Sequence, residues 1–172
     1  SDTGCGMSAE VGAHIFENRT NLTSFVVGTQ IEAIGDYAFA GTNISSFTFA
    51  PGRTADQKLT VGNYAFANTS ALGEVDFTNS NATVFGSSVF KDSSLTKITL
   101  PATLEKMGSY DEDGNLTALD CFDGCSDLEA FVVANGNEAF GADDGLLYGV
   151  TGGKVTDLYV VPAGKTGAVD IP

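Results

Sequence analysis

The chain has 172 residues, of which 22 are Asp or Glu and 8 are Lys or Arg, giving a formal net charge of −14. This length suits one folded domain, and a hydrophobic fraction of 42% is too high for a disordered acidic tail. The negative charge would repel phosphate backbones and anionic lipid, and no apolar run approaches the roughly 20 residues of a membrane helix. We therefore expect no nucleic-acid partner and no membrane insertion by this segment.

The beginning of the chain carries no repeat, no initiator methionine and no signal segment. We expect residues 1–10 to form an N-terminal tail or a partial cap. Cys5 lies there, and with Cys121 and Cys125 it makes an odd total of three cysteines. That number is too small for a disulfide scaffold, and it leaves open whether any two of them form a bridge.

A short motif, Gly-x-x-small-Phe, returns along the rest of the chain, and its phenylalanine recurs at steps of 23, 27, 24 and 32 residues. Intervals of this size are typical of solenoids. The five copies end at Phe16, Phe39, Phe66, Phe90 and Phe122. In the fifth copy, Ala118 stands where the others have glycine. Large aromatic rings at equivalent positions are usually buried, so we predict a core ladder and not an exposed aromatic strip.

An apolar triplet follows each phenylalanine, with large side chains at positions n, n+3 and n+5. The fifteen members are Leu22, Phe25, Val27, Ile44, Phe47, Phe49, Leu72, Val75, Phe77, Leu95, Ile98, Leu100, Leu128, Phe131 and Val133. The last two positions of each triplet are two residues apart, which predicts a short strand with one buried face. Such a strand cannot bury that face alone, whereas five stacked turns build one continuous core. The sequence therefore predicts a repeat solenoid.

Residues that could carry chemistry do not form a recognisable catalytic motif. The single histidine, His14, occupies the slot that holds Tyr37, Tyr64, Ser88 and Asp120 in the other copies, so we interpret it as a positional filler. One histidine and no Cys-x-x-Cys pair offer neither a ready zinc site nor a Cys–His nucleophile. We predict that the chain is not an enzyme and that it has no catalytic residue, no structural metal and no cofactor.

The acidic residues are concentrated in residues 105–144, where eleven acids and one lysine contribute −10 of the net charge. Within this stretch Asp111, Asp113 and Asn115 place oxygen atoms at alternate positions, as a calcium loop begins. The EF-hand pattern then fails, because its sixth and twelfth positions hold Leu and Phe instead of Gly and Glu. Asp-Gly-Asn is also common turn chemistry, so a solvated loop is the preferred interpretation and a calcium site the weaker alternative.

Residues 31–41 followed by residues 44–51 resemble the BspA-type leucine-rich repeat, as do residues 95–101, and Cys125 occupies the Cys slot of that family. The C-terminal residues, including Asp-Gly-Leu-Leu-Tyr at 144–148, are similar to a hairpin-like module often found among these repeats. The resemblance implies a β-rich leucine-rich-repeat solenoid, a right-handed superhelix with short strands, turns and few short helical segments.

On this resemblance, residues 11–140 are about five repeats and residues 141–172 are the hairpin-like module of the same array. It also implies a secreted or cell-surface protein, of a bacterium or a protozoan, that mediates adhesion or protein–protein interaction. The partner would be an extracellular protein or a glycan.

Solenoids usually bind through equivalent positions of successive repeats, so the outward strand positions are the candidate binding residues. These are Ser24, Ser46, Glu74, Lys97 and Glu129. Two alternatives stay open. One is a structural spacer or part of a longer surface array, since Ile-Pro at residues 171–172 normally opens another repeat of the family. The other, ranked last, is a carbohydrate-binding module, because most aromatic residues are expected inside.

Overall fold

The computed structural model describes residues 9–171. Cys5 and most of the expected tail lie outside the described residues, while Ala9 and Glu10 begin the first strand. The described residues form fifteen strands: β1 (Ala9–Val11), β2 (Ser24–Val27), β3 (Ile31–Ile34), β4 (Ser46–Phe49), β5 (Leu59–Val61), β6 (Glu74–Asp76), β7 (Ala82–Phe85), β8 (Lys97–Leu100), β9 (Lys106–Met107), β10 (Ser109–Tyr110), β11 (Leu116–Ala118), β12 (Ala130–Val133), β13 (Phe140–Asp143), β14 (Leu146–Thr151) and β15 (Lys154–Val160).

The predicted solenoid is confirmed, and each turn contributes one strand to each of two parallel rows. The first row is a five-stranded sheet in the order β1-β3-β5-β7-β9. The second row consists of the pair β2-β4 and the three strands β6-β8-β12. The apolar triplets predicted the second row only, so the five-stranded sheet was missed at the sequence level.

The backs of the turns differ in one detail from the expectation, because no helix occurs anywhere in residues 9–171. The Gly-x-x-small-Phe motifs instead lie in runs of consecutive turns. The backbone of each run binds the next one, as where the Phe39 N–H donates to Ala65 O and the Phe66 N–H donates to Val89 O, both at 2.8 Å. Together with the two rows of strands, these hydrogen bonds form a third line of backbone contacts between turns. They satisfy the amide groups that a helix would have paired internally.

The motif phenylalanines form the predicted core ladder. Phe39, Phe66 and Phe90 are fully buried, and successive rings stack with centroids 5.2 and 5.4 Å apart. Phe16 and Phe122 extend the stack at its two ends. All fifteen triplet residues belong to the same core or pack against it. Side chains from all five turns are therefore buried in one continuous core, as the repeat pattern predicts.

The motif glycines are required by the close approach of successive turns. A Cβ atom on Gly62 would lie 2.7 Å from the backbone N of Asp36, and one on Gly86 would lie 2.9 Å from the backbone N of Asn63. Real Cβ atoms do not approach other heavy atoms this closely. A side chain at this slot would therefore push the neighbouring turns apart.

The C-terminal residues form a three-stranded antiparallel meander, β13-β14-β15, that packs on the last solenoid turn. The Phe131 N–H donates to Gly145 O (2.9 Å), and the Gly164 N–H donates to Leu128 O (2.7 Å). An ion pair of 3.0 Å between Lys165 and Asp144 joins the segment after β15 to the β13–β14 turn. The meander thereby covers the core at that end.

Candidate interaction face

The second row of strands presents two lines of side chains away from the core, and we call this surface the outer face. The first line is Ser24, Ser46, Glu74, Lys97 and Ala130, and the second is Val26, Thr48, Asp76, Thr99 and Val132. Most of these side chains are exposed, including Val26 at 61%. An extended surface of this kind is built on backbone that the core holds in place, which suits it to contact with a large partner.

Four of the five residues proposed from the sequence lie in the first line of the outer face. Ser24 pairs with Ser46, and Glu74 pairs with Lys97. The fifth, Glu129, is exposed but precedes β12, where Ala130 is the residue in register with Lys97. Counting two residues from the first member of the last triplet would have given Ala130. The residues of the second line lie four positions after the first member of each triplet and were not proposed from the sequence.

The outer face is interrupted between β4 and β6, which are neighbours in the solenoid. No backbone hydrogen bond or strand pairing joins these two strands, both of which lie within the described residues. The other two sides of the same turns stay joined, since β3 pairs with β5 and the Tyr37 N–H donates to Asn63 O at 2.9 Å. The two turns therefore separate on one side only.

A groove of about 440 Å³ occupies this break, a volume within the roughly 300–1,000 Å³ of protein ligand sites. Its lining includes Phe47, Phe49 and Val75 from the two strands that flank the break. Beneath it the core is continuous, because the rings of Phe49 and Phe77 lie 5.2 Å apart. The polar residues that line the groove are Ser45, Ser46, Thr48, Glu74, Asp76, Asn79, Lys97 and Thr99. Three of the proposed binding residues thus line one groove.

The connection at residues 50–58 accompanies the break and is the longest of those that run from the second row to the first. Within it, Arg53 donates to Gly28 O (2.9 Å), Ile31 O (2.8 Å) and Gln57 O (3.2 Å). Burial lowers the pKa of the Arg53 guanidinium, and the neighbouring Glu32 carboxylate partly opposes that shift. Through these hydrogen bonds the guanidinium ties the connection to the turn that precedes it.

The acidic loop proposed as a weak calcium candidate forms the turn of the β10–β11 hairpin. One oxygen of Asp111 accepts hydrogen bonds from the N–H groups of Asp113 (3.1 Å) and Asn115 (2.8 Å), and its other oxygen accepts from the Asn115 side chain (3.1 Å). Hydrogen bonds from Asn115 lower the pKa of Asp111. The Asp111 carboxylate thus closes its own turn. Within residues 9–171, no three His, Cys, Asp or Glu side chains are grouped as metal ligands.

The Asp120 carboxylate stabilises the joint between the last two repeat motifs. The Asp120 carboxylate accepts hydrogen bonds from the hydroxyl groups of Ser87 (2.6 Å) and Ser109 (3.0 Å) and from the Ser88 N–H (3.3 Å). Burial acts to raise the pKa of Asp120, but these hydrogen bonds outweigh it and the pKa is lowered.

The cysteines of the fifth motif are buried free thiols. Burial, reinforced by the Asp120 carboxylate, raises the pKa of Cys121 to about 12, and burial also raises the pKa of Cys125. Cys125 lies three residues after its motif phenylalanine, in the slot that holds Thr42 and Thr69 in earlier repeats. The hydroxyl groups of those threonines donate to the carbonyl oxygen of the phenylalanine in their own repeat, whereas the Cys125 thiol donates to Phe90 O of the preceding repeat at 3.0 Å. Thiols held in the neutral form are poor nucleophiles. His14 stacks on Tyr37, which in turn stacks on Tyr64, and His14 also contacts Glu17, so it begins a line of stacked rings at the surface.

Short parallel strands stacked turn on turn around one apolar core place the chain among the repeat solenoids. The profile of the BspA type Leucine rich repeat region matches six copies, over residues 7–111 and 54–143. The chain belongs to this family. The search of curated proteins gave no match.

Two solved structures share the fold. A leucine-rich repeat protein from Eubacterium ventriosum superposes with a TM-score of 0.70 and 24% identity, over 92% of this chain and 37% of that one. The pneumococcal vaccine antigen PcpA superposes with a TM-score of 0.60 and 20% identity, over 84% of this chain and 38% of that one. The chain thus spans less than two fifths of the length of either protein. Among its described residues, no helix is long and apolar enough to cross a bilayer.

Proposed function

We propose that this chain is a non-enzymatic part of a secreted or cell-surface protein and that it mediates adhesion or protein–protein interaction through the outer face. The observation that carries the proposal is the pair of exposed side-chain lines across β2, β4, β6, β8 and β12. These side chains do not build the core, so they are available to a partner. The partner is a macromolecule, either an extracellular protein or a glycan.

Family membership supports this function, because stacked repeats form extended binding surfaces. The likeness to a pneumococcal vaccine antigen supports a position at the cell surface. The buried thiols and the satisfied Asp120 carboxylate support a structural and not a catalytic use of these reactive groups.

Binding to a panel of extracellular-matrix proteins, mucins and glycans, measured by biolayer interferometry, tests the proposal. Thr48→Arg places a bulky side chain on the outer face. Thr60→Arg is the matched control, because Thr60 is an exposed threonine in β5 of the five-stranded sheet. We expect at least one saturable interaction that Thr48→Arg weakens about tenfold or more and that Thr60→Arg leaves within about twofold.

Loss of binding in the control alone would contradict the assignment of the face. Absence of saturable binding across the panel, with both variants folded, would favour the spacer hypothesis.

A further inference from the structure

The break between β4 and β6 leaves backbone N–H and C=O groups exposed. In every other pair of neighbouring strands of the second row, the equivalent groups form hydrogen bonds between the two strands. The N–H groups of Ser46 and Ala50 point to β2, where they donate to Thr23 O (3.2 Å) and Val27 O (2.9 Å). Because alternate residues of a strand direct their backbone groups to opposite sides, those of Phe47 and Phe49 point into the break.

The edge of β6 faces the break in the same way. The Phe77 N–H donates to Thr99 O in β8 (2.9 Å), so the same alternation directs the backbone groups of Glu74 and Asp76 toward β4. Two strand edges with free donors and acceptors therefore line one groove. Cα atoms of the two strands lie within 8 Å of each other, so the gap is too narrow for another strand, which would need about 4.8 Å to each neighbour, but the free groups are open to a side chain that enters the groove.

The charges around the groove favour a basic occupant. The exposed carboxylates of Glu74 and Asp76 lie on the β6 side, and a single ammonium group, on Lys97, lies on the next strand. Among the described residues neither Glu74 nor Lys97 has an ion-pair partner within 4.0 Å. Asp76 uses one oxygen to accept the Thr78 N–H at 2.8 Å, which leaves its other oxygen available. The net charge of −14 attracts basic partners over longer distances.

The chain itself shows how a guanidinium is accommodated beside the same turns. Arg53, in the connection that follows β4, reaches back to Gly28 and Ile31 and donates to three backbone carbonyl groups in all. Its five donors in a fixed plane suit carbonyl and carboxylate oxygens that lie close together. Phe47 and Phe49 offer free carbonyl groups across the groove from the β6 carboxylates.

We propose that the groove between β4 and β6 binds an extended peptide segment of a partner protein that carries an arginine or lysine side chain. The segment lies along the mouth of the groove, and its basic side chain enters, donates to the free carbonyl groups of Phe47 and Phe49 and lies beside the carboxylates of Glu74 and Asp76. This inference rests on the proposed function and narrows it from the whole outer face to one groove and one kind of protein partner.

Two synthetic decapeptides test the proposal, one alternating arginine with valine and threonine, the other carrying glutamate in place of each arginine. Titration of the isotope-labelled chain, followed by amide NMR, locates the site. We expect the arginine peptide to shift the amide signals of Phe47, Phe49, Glu74 and Asp76 to saturation. The glutamate peptide should leave them unchanged.

A matched pair of variants separates the groove from general attraction to an acidic protein. Glu74→Gln with Asp76→Asn removes two charges at the groove, and the Asn side chain retains the oxygen that accepts the Thr78 N–H. Glu112→Gln with Asp113→Asn removes two charges in the exposed β10–β11 loop. At about two- to fivefold for each exposed charge, the groove variant should weaken binding about four- to twenty-fivefold and the loop variant less than about twofold. Lys97→Gln should strengthen binding.

Equal weakening by both double variants, or shifts concentrated in residues 105–144, would show nonspecific attraction and overturn the proposal. Absence of saturable shifts at the groove would overturn it as well. The proposed function fails separately, when the macromolecular panel gives no saturable binding, when Thr48→Arg leaves that binding unchanged, or when Thr60→Arg alone abolishes it. A partner that binds the outer face without shifting the groove amides would leave the function standing and exclude the groove.

Discussion

Replacement of Gly62 by alanine tests the packing of successive turns. The new Cβ atom would lie 2.7 Å from the Asp36 backbone N and 2.8 Å from the Gly35 backbone C, whereas ordinary contacts begin near 3.4 Å. Backbone atoms cannot rotate away, so the two turns must separate by several tenths of an ångström. That movement also stretches the hydrogen bond of 2.8 Å from the Gly62 N–H to Ile34 O.

The expected loss follows from two opposing effects. Overpacking of this kind costs about 1–3 kcal/mol, while the reduced freedom of the unfolded chain returns about 0.4–1 kcal/mol. We therefore expect Gly62→Ala to lower the free energy of unfolding by about 1–2 kcal/mol. For a chain of this length, the melting temperature should fall by about 2–4 °C for each kcal/mol.

Urea unfolding followed by far-ultraviolet circular dichroism measures this difference. Gly28→Ala is the matched control, because nothing lies within 4 Å of a Cβ atom at that position. The control should be stabilised by about 0.4–1 kcal/mol through the unfolded state alone. If Gly62→Ala were as stable as Gly28→Ala, close approach of the turns would not be the reason for the glycine.

Three further predictions follow from the core and from the fifth motif. Phe66→Ala should lower the free energy of unfolding by about 3–5 kcal/mol, because the Phe66 ring is fully buried and stacks on both sides. Phe16→Ala, at the half-buried end of the stack, should lower it by less than half as much. Equal losses of stability in the two variants, measured by urea unfolding, would contradict the ladder. Asp120→Asn should lower the free energy of unfolding by about 1 kcal/mol at neutral pH. Because the pKa of Asp120 is lowered in the folded chain, its carboxylate stabilises the fold at pH values above the unfolded-state pKa, near 3.9. This stabilisation is lost as the pH falls through the lower pKa of the folded state. A difference from the parent that persisted in acid would refute this role. In a Cys5→Ser background, the buried thiols of Cys121 and Cys125 should resist a disulfide reagent at mildly alkaline pH until guanidinium chloride unfolds the chain; rapid labelling of the folded protein would contradict their burial.

The second row of strands and the phenylalanine ladder were predictable because a large apolar side chain returns at the same slot of every repeat. Phe39 and Phe66, for example, occupy equivalent positions in the stack, so a single motif indicates both. The five-stranded sheet is less visible, because its strands are as short as Lys106–Met107 and each carries only one or two buried side chains. The apolar residues just before each motif glycine, such as Leu59 and Val61, were its available signal.

The groove could not have been predicted in the same way. Phe47 and Phe49 follow the same triplet pattern as Ile98 and Leu100, yet β4 leaves its next neighbour unpaired while β8 pairs on both sides. Pairing between turns depends on the path of the connections, and the pattern of buried residues within a strand does not record that path. The position of Glu129, by contrast, was an error of one residue that the triplet register could have prevented.

Hydrogen exchange of the chain, free and saturated with its tightest-binding panel partner, tests most directly whether the outer face is the interaction surface. The measurement compares protection of amides on the two rows of strands. We predict new protection in β4, β6 and β8, greatest at the edge amides of Phe47, Phe49, Glu74 and Asp76, with no change in the five-stranded sheet. Protection confined to the five-stranded sheet or to residues 140–171 would contradict the account.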